Sequence, residues 1–222
     1  SRFHWRPARV AYNEEGAHRT IALGLRPDRW IDHLPGQHYE IRFPGEELSR
    51  KFSIASAPEV RGTLEFGIQI LDYGLLTPRL ATLREGAPVE VRGPTGAGFT
   101  WSVAQEEPLL LLGGGAGVTP LLGMYHHHRL RGSHAPLRFI VSAKSPERLF
   151  RLPAYREVAI TRFTSEEPRL TRADLQEYLS SLPRHSRLTA RICGPKGFME
   201  TMVESLLELG VSEDRIRSEA FV

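Results

Sequence analysis

Residues 109–120 read LLLLGGGAGVTP, and this stretch combines three local signals. The four leucines form an unbroken apolar run, which is typical of a strand covered on both faces of a parallel sheet. Glycines after it let backbone N–H groups approach a pyrophosphate, and an apolar pattern at helical spacing follows. The order predicts a dinucleotide-binding unit, although Pro120 stands where that fingerprint has its third glycine. The alternative is a glycine turn that only connects a strand to a helix.

Length and composition describe an ordinary globular protein. The chain has 222 residues, enough for one large domain or two small ones. Its 41% hydrophobic and 25% charged residues are average values. The formal net charge is only +3, from 29 basic and 26 acidic residues, so the composition does not indicate nucleic-acid binding. This mildly basic balance suits an anionic cofactor or an acidic protein partner.

Cysteine content and hydropathy limit the cellular context. Cys193 is the only cysteine, so the chain forms no intramolecular disulfide and holds no cysteine-ligated iron–sulfur cluster by itself. We find no signal-peptide pattern and no apolar stretch long enough to span a bilayer. We therefore expect a cytoplasmic monomer without nucleic-acid or membrane partners.

Residues 1–104 predict an antiparallel β-barrel domain, because short alternating segments are separated by glycine and proline turns. Residues 13–16 carry the composition of a hairpin turn. Thr77 as N-cap, followed by Pro78, predicts a short helix over 77–83. The expected strands are 9–12, 20–25, 39–43, 52–55, 64–70 and 89–92.

The polar, proline-ended segment 105–108 is the expected domain boundary. Residues 105–222 then alternate between strand and helix patterns, which predicts an α/β domain with a parallel sheet. The expected strands are 109–113, 138–142, 157–161, 189–193 and 215–219. The expected helices are 119–131, 171–182 and 196–209.

Six short motifs follow one another along the chain: RKFS at 50–53, GLLT at 74–77, GPTG at 93–96, GGAGVTP at 114–120, CGP at 193–195 and EAF at 219–221. In this order they resemble the ferredoxin–NADP reductase family, specifically its bacterial two-domain FAD members. The resemblance spans nearly the whole chain. It implies an FAD-binding antiparallel β-barrel followed by an NAD(P)-binding parallel α/β domain.

The first two motifs imply the FAD site. By resemblance, Arg50 pairs with the FAD pyrophosphate, and Thr77 binds the same phosphates with the N–H groups of its helix. Phe52 lies against the isoalloxazine, and Ser53 hydrogen-bonds near flavin N5. Phe52 replaces the family's usual tyrosine, so the phenolic hydroxyl is lost while stacking is kept. Three further motif residues are assigned to cofactor binding: Lys51, Gly74 and Leu76.

The later motifs imply the nicotinamide site. By resemblance, the glycine loop holds the dinucleotide pyrophosphate, and Cys193 lies beside the nicotinamide and aligns it for hydride transfer. A small buried residue is the alternative role for Cys193. Ala116 replaces a threonine that is frequent in the family. The remaining positions assigned to this site are Gly114, Gly115, Gly117, Thr119, Pro120, Gly194 and Pro195.

The C-terminal motif implies residues that approach the flavin from the other domain. By resemblance, Glu219 tunes the flavin or shuttles protons, and Phe221 contacts the cofactor. A solvated carboxylate and a core anchor are the alternatives. Ser53, Cys193 and Glu219 together form the expected catalytic set.

Charges near the end of the second strand of the α/β domain favour NADP(H) over NAD(H). An NAD-preferring fold usually carries an acidic residue there, whereas this chain has Ser142 and Lys144, with Arg151 and Arg162 further on. Hydroxyls and cations suit a 2′-phosphate. Ordinary surface charge is the alternative.

Three consecutive histidines, 126–128, suggest a metal site at first sight. Neighbouring residues on a helix point about 100° apart, so one metal ion cannot easily bind all three. We expect these histidines on a helix surface and assign no metal.

The resemblance implies a flavoprotein reductase that transfers hydride from NAD(P)H to FAD, then single electrons to a protein acceptor such as ferredoxin or flavodoxin. One alternative is the reductase component of an oxygenase system whose iron–sulfur cluster sits on a separate partner. The other is a flavin-binding electron-transfer subunit without turnover of its own.

Overall fold

A six-stranded antiparallel sheet occupies the first half of the computed structural model, which describes residues 1–220. Its spatial order is β4-β3-β6-β1-β2-β5, and a bridge between Ile54 and Phe66 joins its two edges. The sheet therefore closes into a barrel. In chain order its strands are β1 (Arg6–Glu15), β2 (Thr20–Pro27), β3 (His38–Arg42), β4 (Ser49–Ser53), β5 (Leu64–Gln69) and β6 (Pro88–Thr95).

Alternation along the strands builds the barrel core. In β5, Leu64, Phe66 and Ile68 are buried while the residues between them are half-buried. A short helix, α1 (Thr77–Leu80), adds Leu80 to the same apolar cluster. The period of two is what a sheet with one buried face requires.

The second half of the chain forms a five-stranded parallel sheet in the order β11-β10-β7-β8-β9. The four leucines of its central strand are all buried, alternately in the clusters on its two faces. The strand prediction for this stretch is therefore confirmed. The elements are β7 (Leu109–Gly114), α2 (Val118–Leu130), β8 (Leu137–Ala143), β9 (Ala159–Phe163), α3 (Arg172–Ser180), β10 (Thr189–Gly194), α4 (Lys196–Glu208) and β11 (Ile216–Ala220).

Helix α2 lies where the two sheets meet. A Cβ added at Gly123 would lie 3.1 Å from the Ile54 carbonyl oxygen, so the helix backbone closely approaches the end of β4. Ala22 and Ala55 of the barrel belong to the same buried cluster as α2. The barrel and the α/β part thus share a continuous apolar contact.

The segment that links β6 to β7 packs with the α/β part. Phe99 and Trp101 are buried in the cluster around α2, although both precede the predicted boundary at 105–108. The division into 1–104 and 105–222 stays a prediction. Across residues 1–220, each helix is too short or too polar to cross a lipid bilayer.

The predicted two-domain fold class is confirmed, but several elements begin or end elsewhere than expected, among them the strands expected at 52–55 and 157–161, which are found at 49–53 and 159–163. Strand β1 continues to Glu15, so the hairpin turn lies at 16–19 rather than at 13–16. Thr77 is the first residue of α1 and not its N-cap, because Leu76 holds that position. The Thr77 hydroxyl oxygen instead accepts a hydrogen bond from the Leu71 amide at 2.9 Å.

Candidate functional site

A cleft of about 480 Å³ lies between the barrel and the parallel sheet. From the barrel, four consecutive residues of β4 line it, and Thr77 of α1 joins them. From the α/β part, Thr119 at the start of α2 lines it together with Cys193 and Glu219, near the ends of β10 and β11. The carboxyl ends of parallel strands are where open α/β sheets bind ligands.

Strand β4 presents two cations to this cleft. Arg50 is half-buried and Lys51 is exposed, and neither forms an ion pair with a carboxylate of residues 1–220. Phe52 packs partly on the barrel core and also lines the cleft. A guanidinium without a protein partner beside an aromatic ring can bind a phosphate-bearing aromatic ligand.

Cys193 and Glu219 lie side by side on neighbouring strands. Their Cα atoms are partners in the parallel ladder of β10 and β11, so their side chains project from the same face of the sheet. Cys193 is only 2% exposed. Burial raises the pKa of the Cys193 thiol, and the charge of Glu219 raises it further, so the thiol is protonated at neutral pH.

Glu219 keeps its proton more readily than a surface carboxyl group. Burial raises the pKa of Glu219, and the positive charge of Lys51 opposes that increase. A carboxyl group near a cation in a half-closed cleft can exchange a proton with a bound ligand.

The glycine loop brings the start of α2 against the end of β10. A 3₁₀ turn spans Gly115–Gly117, between β7 and α2. A Cβ at Gly117 would lie 2.6 Å from the Cys193 carbonyl oxygen and from Gly194 backbone atoms, so only glycine fits there. Gly115 has a φ of +55° and open space on its Cα, which lets a ligand approach the backbone.

Comparison with known proteins shows what the chain is similar to. Residues 13–100 match the family model described as the oxidoreductase FAD-binding domain. The reductase component of propane 2-monooxygenase from Rhodococcus jostii (strain RHA1) is 28% identical over 232 residues, covering 96% of this chain and 62% of that protein. The chain is therefore similar to the ferredoxin reductase type of FAD- and NAD(P)-binding oxidoreductases, and its barrel carries the FAD-binding match.

Two further reductases are similar to the chain over different lengths. The propane 2-monooxygenase reductase component from Gordonia sp. (strain TY-5) is 34% identical over 134 residues, covering 60% of this chain and 38% of that protein. The chain therefore spans between 38% and 62% of the length of these two curated relatives. The crystal structure of the Amycolatopsis cytochrome P450 reductase GcoB shares the fold, with a TM-score of 0.82 at 21% identity, covering 98% of this chain and 70% of that one.

The cleft gathers only part of the residue set predicted for the reductase family. The side chain of Leu76 is buried in the barrel core, so only its backbone can face a ligand. Phe221 lies outside the described residues. The predicted residues in the cleft are Arg50, Lys51, Phe52, Ser53, Thr77, Thr119, Cys193 and Glu219. Those outside its lining are Gly74, Leu76, Gly114, Gly115, Gly117, Pro120, Ser142, Lys144, Arg151, Arg162, Gly194 and Pro195.

Arg151 is held elsewhere, at the contact between the barrel and the α/β part. Its Nη2 donates to the carboxylates of Glu14 at 2.8 Å and Glu65 at 2.9 Å. The hydroxyl of Tyr12 donates to Glu65 at 2.5 Å. We name these four side chains the interface cluster. Its hydrogen bonds disagree with the predicted role of Arg151 as a phosphate ligand, because two carboxylates already neutralise the guanidinium.

Arg162 is also held by hydrogen bonds within the protein, on the other side of the sheet. Its guanidinium donates to the Pro168 carbonyl at 2.9 Å, to Asp174 at 3.3 Å and to the Tyr178 hydroxyl at 3.2 Å. These contacts fix α3 against β9 and disagree with a role for Arg162 at the 2′-phosphate. Lys144, in contrast, is exposed and has no ion pair within residues 1–220, and Ser142 is buried at the end of β8.

The expectation that all three histidines lie on a helix surface is wrong for His127. This residue is 6% exposed, and its Nδ1 lies 2.5 Å from a carboxylate oxygen of Glu59. The Val103 amide donates to its Nε2 at 3.3 Å. The reason is that α2 is enclosed between the sheet and the loops of the barrel. Within the described chain, no three histidine, cysteine or acidic side chains are grouped as metal ligands.

One titratable residue in the cleft escaped the sequence analysis. His38 begins β3 and lines the cleft, where its Nε2 lies 2.9 Å from the Thr95 hydroxyl. The only sequence signal is a histidine at the start of an alternating strand, and it belongs to none of the six motifs. His38 reaches the cleft because β3 pairs with β4, which places His38 beside Ser53.

Proposed function

We propose that the chain is an FAD-dependent NAD(P)H oxidoreductase that passes electrons one at a time to a protein acceptor. The observation that carries this proposal is the cleft itself, which joins β4 of the FAD-binding barrel to Cys193 and Glu219 of the parallel sheet. Hydride transfer requires the donor and acceptor rings in contact, and a cleft between two cofactor-binding domains supplies that proximity.

The barrel side of the cleft fits FAD in its chemistry. Arg50 has no carboxylate partner within residues 1–220 and is available for the pyrophosphate, with Lys51 adding positive charge. Phe52 offers a ring face and Ser53 offers a hydroxyl, and both line the cleft. When bound, FAD supplies the conversion of a two-electron hydride donor into one-electron steps.

On the α/β side, Cys193 and Glu219 have distinct proposed roles. The neutral, buried thiol of Cys193 packs beside the nicotinamide and orients it without introducing charge. Glu219 holds or accepts a proton at the cleft, because its pKa is raised by burial while Lys51 stays near. The turn Gly115–Gly117 and the start of α2 receive the dinucleotide phosphates.

We further propose a preference for NADP(H). Lys144 follows β8 and has no ion pair within residues 1–220, so its ammonium group is available for a 2′-phosphate, with Ser142 close in sequence.

The proposed acceptor is a protein of an oxygenase system. Support comes from relatives described as propane 2-monooxygenase reductase components and as a toluate 1,2-dioxygenase electron transfer component. Cys193 is the only cysteine of this sequence, so an iron–sulfur acceptor centre needs ligands from outside it. Ferredoxin and flavodoxin remain the other acceptors that suit this chemistry.

The test is a visible spectrum of the purified protein, followed by anaerobic titration with NADPH and then with NADH. A yellow protein that NADPH bleaches faster than NADH supports the reductase and its cofactor preference. Faster bleaching with NADH would overturn the preference and keep the reductase. A yellow protein that is bleached by neither NADPH nor NADH would favour an electron-transfer subunit. A protein that takes up no FAD would overturn the proposal.

A further inference from the structure

His38 occupies the centre of a row of polar side chains on the barrel. Its Cα is the ladder partner of Ser53 on β4 and also of Thr95 on β6. Directly opposed residues of antiparallel strands project from the same face, with Cβ atoms about 5 Å apart. Ser53, His38 and Thr95 therefore lie in a row across three strands, and a hydrogen bond joins His38 to Thr95.

The GPTG motif at 93–96 is shaped around this imidazole. The Thr95 hydroxyl lies 2.9 Å from His38 Nε2. At Gly96, which has a φ of +98°, an added Cβ would lie 2.9 Å from His38 Nδ1 and 3.0 Å from Cε1. A side chain at Gly96 would collide with the ring, so the turn both holds the imidazole and makes room for it.

The two ends of the row lie in different surroundings. Ser53 and His38 line the cleft, whereas Thr95 is followed by the exposed residues Ala97 and Gly98. Within the described chain, the imidazole of His38 forms no hydrogen bond apart from the one to Thr95, so Nδ1 is available to a proton donor. The row thus runs from the cleft to the half-buried Thr95, two residues before an exposed turn.

The proposed function requires such a route, because the two half-reactions differ by a proton. NAD(P)H is oxidised by loss of a hydride, and two acceptor molecules are each reduced by one electron. Each turnover therefore leaves one proton in the cleft that must pass to water. We propose that Ser53, His38 and Thr95 relay this proton from the cleft to solvent beside the GPTG turn, an inference that rests on the proposed function.

The charges around His38 suit a relay that is neutral at rest. Burial lowers the pKa of His38, and the positive charge of Lys51 on β4 lowers it further, while Glu40 on β3 opposes both. Arg50 and Glu219 line the same cleft. A neutral imidazole can accept a proton on one nitrogen and release one from the other.

The experiment follows proton release directly, with protein that has been reduced without NAD(P)H. FAD-loaded protein is photoreduced with EDTA and light, then mixed in a stopped-flow instrument with ferricyanide in weak buffer containing phenol red. Flavin absorbance reports electron loss, and the dye reports the proton. The variants are His38→Gln, His38→Phe, Thr95→Val, Thr95→Ser and Glu219→Gln, with exposed His134→Gln as the matched control.

In the wild-type protein, proton release should keep pace with electron loss. His38→Phe and Thr95→Val should delay the proton by about tenfold or more, since a positioned proton carrier has been removed. Thr95→Ser should restore the wild-type rate of proton release, and His134→Gln should behave as wild type. FAD content, measured for each variant, separates this delay from a weaker flavin site, and His38→Gln serves if the phenylalanine variant loses FAD.

Undelayed proton release in both His38 variants would overturn the relay. So would a delay in Glu219→Gln alone, which would give the route to that carboxyl group. Because the electrons come from photoreduction, the result does not depend on NAD(P)H. A protein that releases its proton through His38 and yet is not bleached by NAD(P)H would retain the relay and refute the proposed source of hydride.

Discussion

The contact between the barrel and the α/β part has two ends that differ in whether their cationic side chains are paired with carboxylates. At the cleft, Arg50 and Lys51 form no ion pair within residues 1–220. At the interface cluster, Arg151 bridges Glu14 and Glu65 at 2.8 and 2.9 Å. Strand β5 supplies residues to both ends, so the two lie within one strand length of each other.

The difference separates structural charges from functional ones. A half-buried charge without a partner loses solvation and gains nothing in return, so folding alone does not favour it. Paired charges at the interface cluster satisfy one another and join the barrel to the α/β part. Unpaired charges at the cleft are therefore the ones that a ligand would complete, in keeping with the clustering of local inconsistencies at functional sites.

Arg50→Ala should have the largest effect on the cleft. Loss of a charged hydrogen bond to phosphate costs about 2–3 kcal/mol, or roughly 30- to 150-fold in Kd. FAD content after dialysis and a fluorescence titration with FAD measure the change. Arg26→Ala, an exposed arginine on β2, is the control and should bind FAD as wild type does. An Arg50→Ala protein that retains all of its FAD would remove Arg50 from the site.

Arg151→Ala should show the reverse pattern, with lower stability and unchanged FAD content. Its removal leaves Glu65, whose side chain is 20% exposed, with Tyr12 as its remaining side-chain partner. We expect a loss of about 1–2 kcal/mol in the free energy of unfolding, measured with urea.

A control for Arg151 is Arg61→Ala, which breaks the exposed ion pair with Asp32. That change should cost less than about 0.5 kcal/mol, because solvent screens the pair. If Arg151→Ala instead weakened FAD or NADPH binding while the free energy of unfolding stayed the same, the division between the two ends of the interface would be wrong.

The fold could be predicted from the sequence because its signals are local. The leucine run gave a strand buried on both faces, and the alternation in β5 gave a barrel strand. The helix α1 was found but its cap was misassigned, since Thr77 turns its hydroxyl toward the Leu71 amide. That contact depends on the path of a loop, which residue types alone do not specify.

The charged residues were harder to predict because their partners are distant in sequence. Glu14 and Arg151 are 137 positions apart, and Glu59 and His127 are 68 apart. Composition near β8 suggested cations available to a phosphate, but it contained no information about which carboxylates would neutralise them. His38 escaped for the same reason, since its role arises from pairing with two other strands.

Lys144→Glu extends the same distinction to the proposed NADP(H) preference. Replacing an unpaired cation by an anion should lower the ratio of NADPH to NADH reactivity by about tenfold, equivalent to roughly 1.4 kcal/mol. Stopped-flow bleaching with each nucleotide gives the ratio. Arg162→Ala is the comparison, because its ties to α3 predict lower stability with an unchanged ratio. A ratio that changed with Arg162 and not with Lys144 would reverse these assignments.

Glu219→Gln should have the smallest effect on stability, and this effect appears only as a dependence on pH. Burial raises the pKa of Glu219 above its ordinary 4.5, so its contribution to stability is complete below pH 4.5 and is lost as the pH rises through the folded value. A glutamine side chain does not ionise, so the variant does not lose this stability as the pH rises. The variant should therefore melt about 1–2 °C above wild type at pH 7 and at the same temperature as wild type at pH 4. A variant that is less stable than wild type at pH 7 would mean that the Glu219 charge is stabilised by Lys51 more than it is penalised by burial.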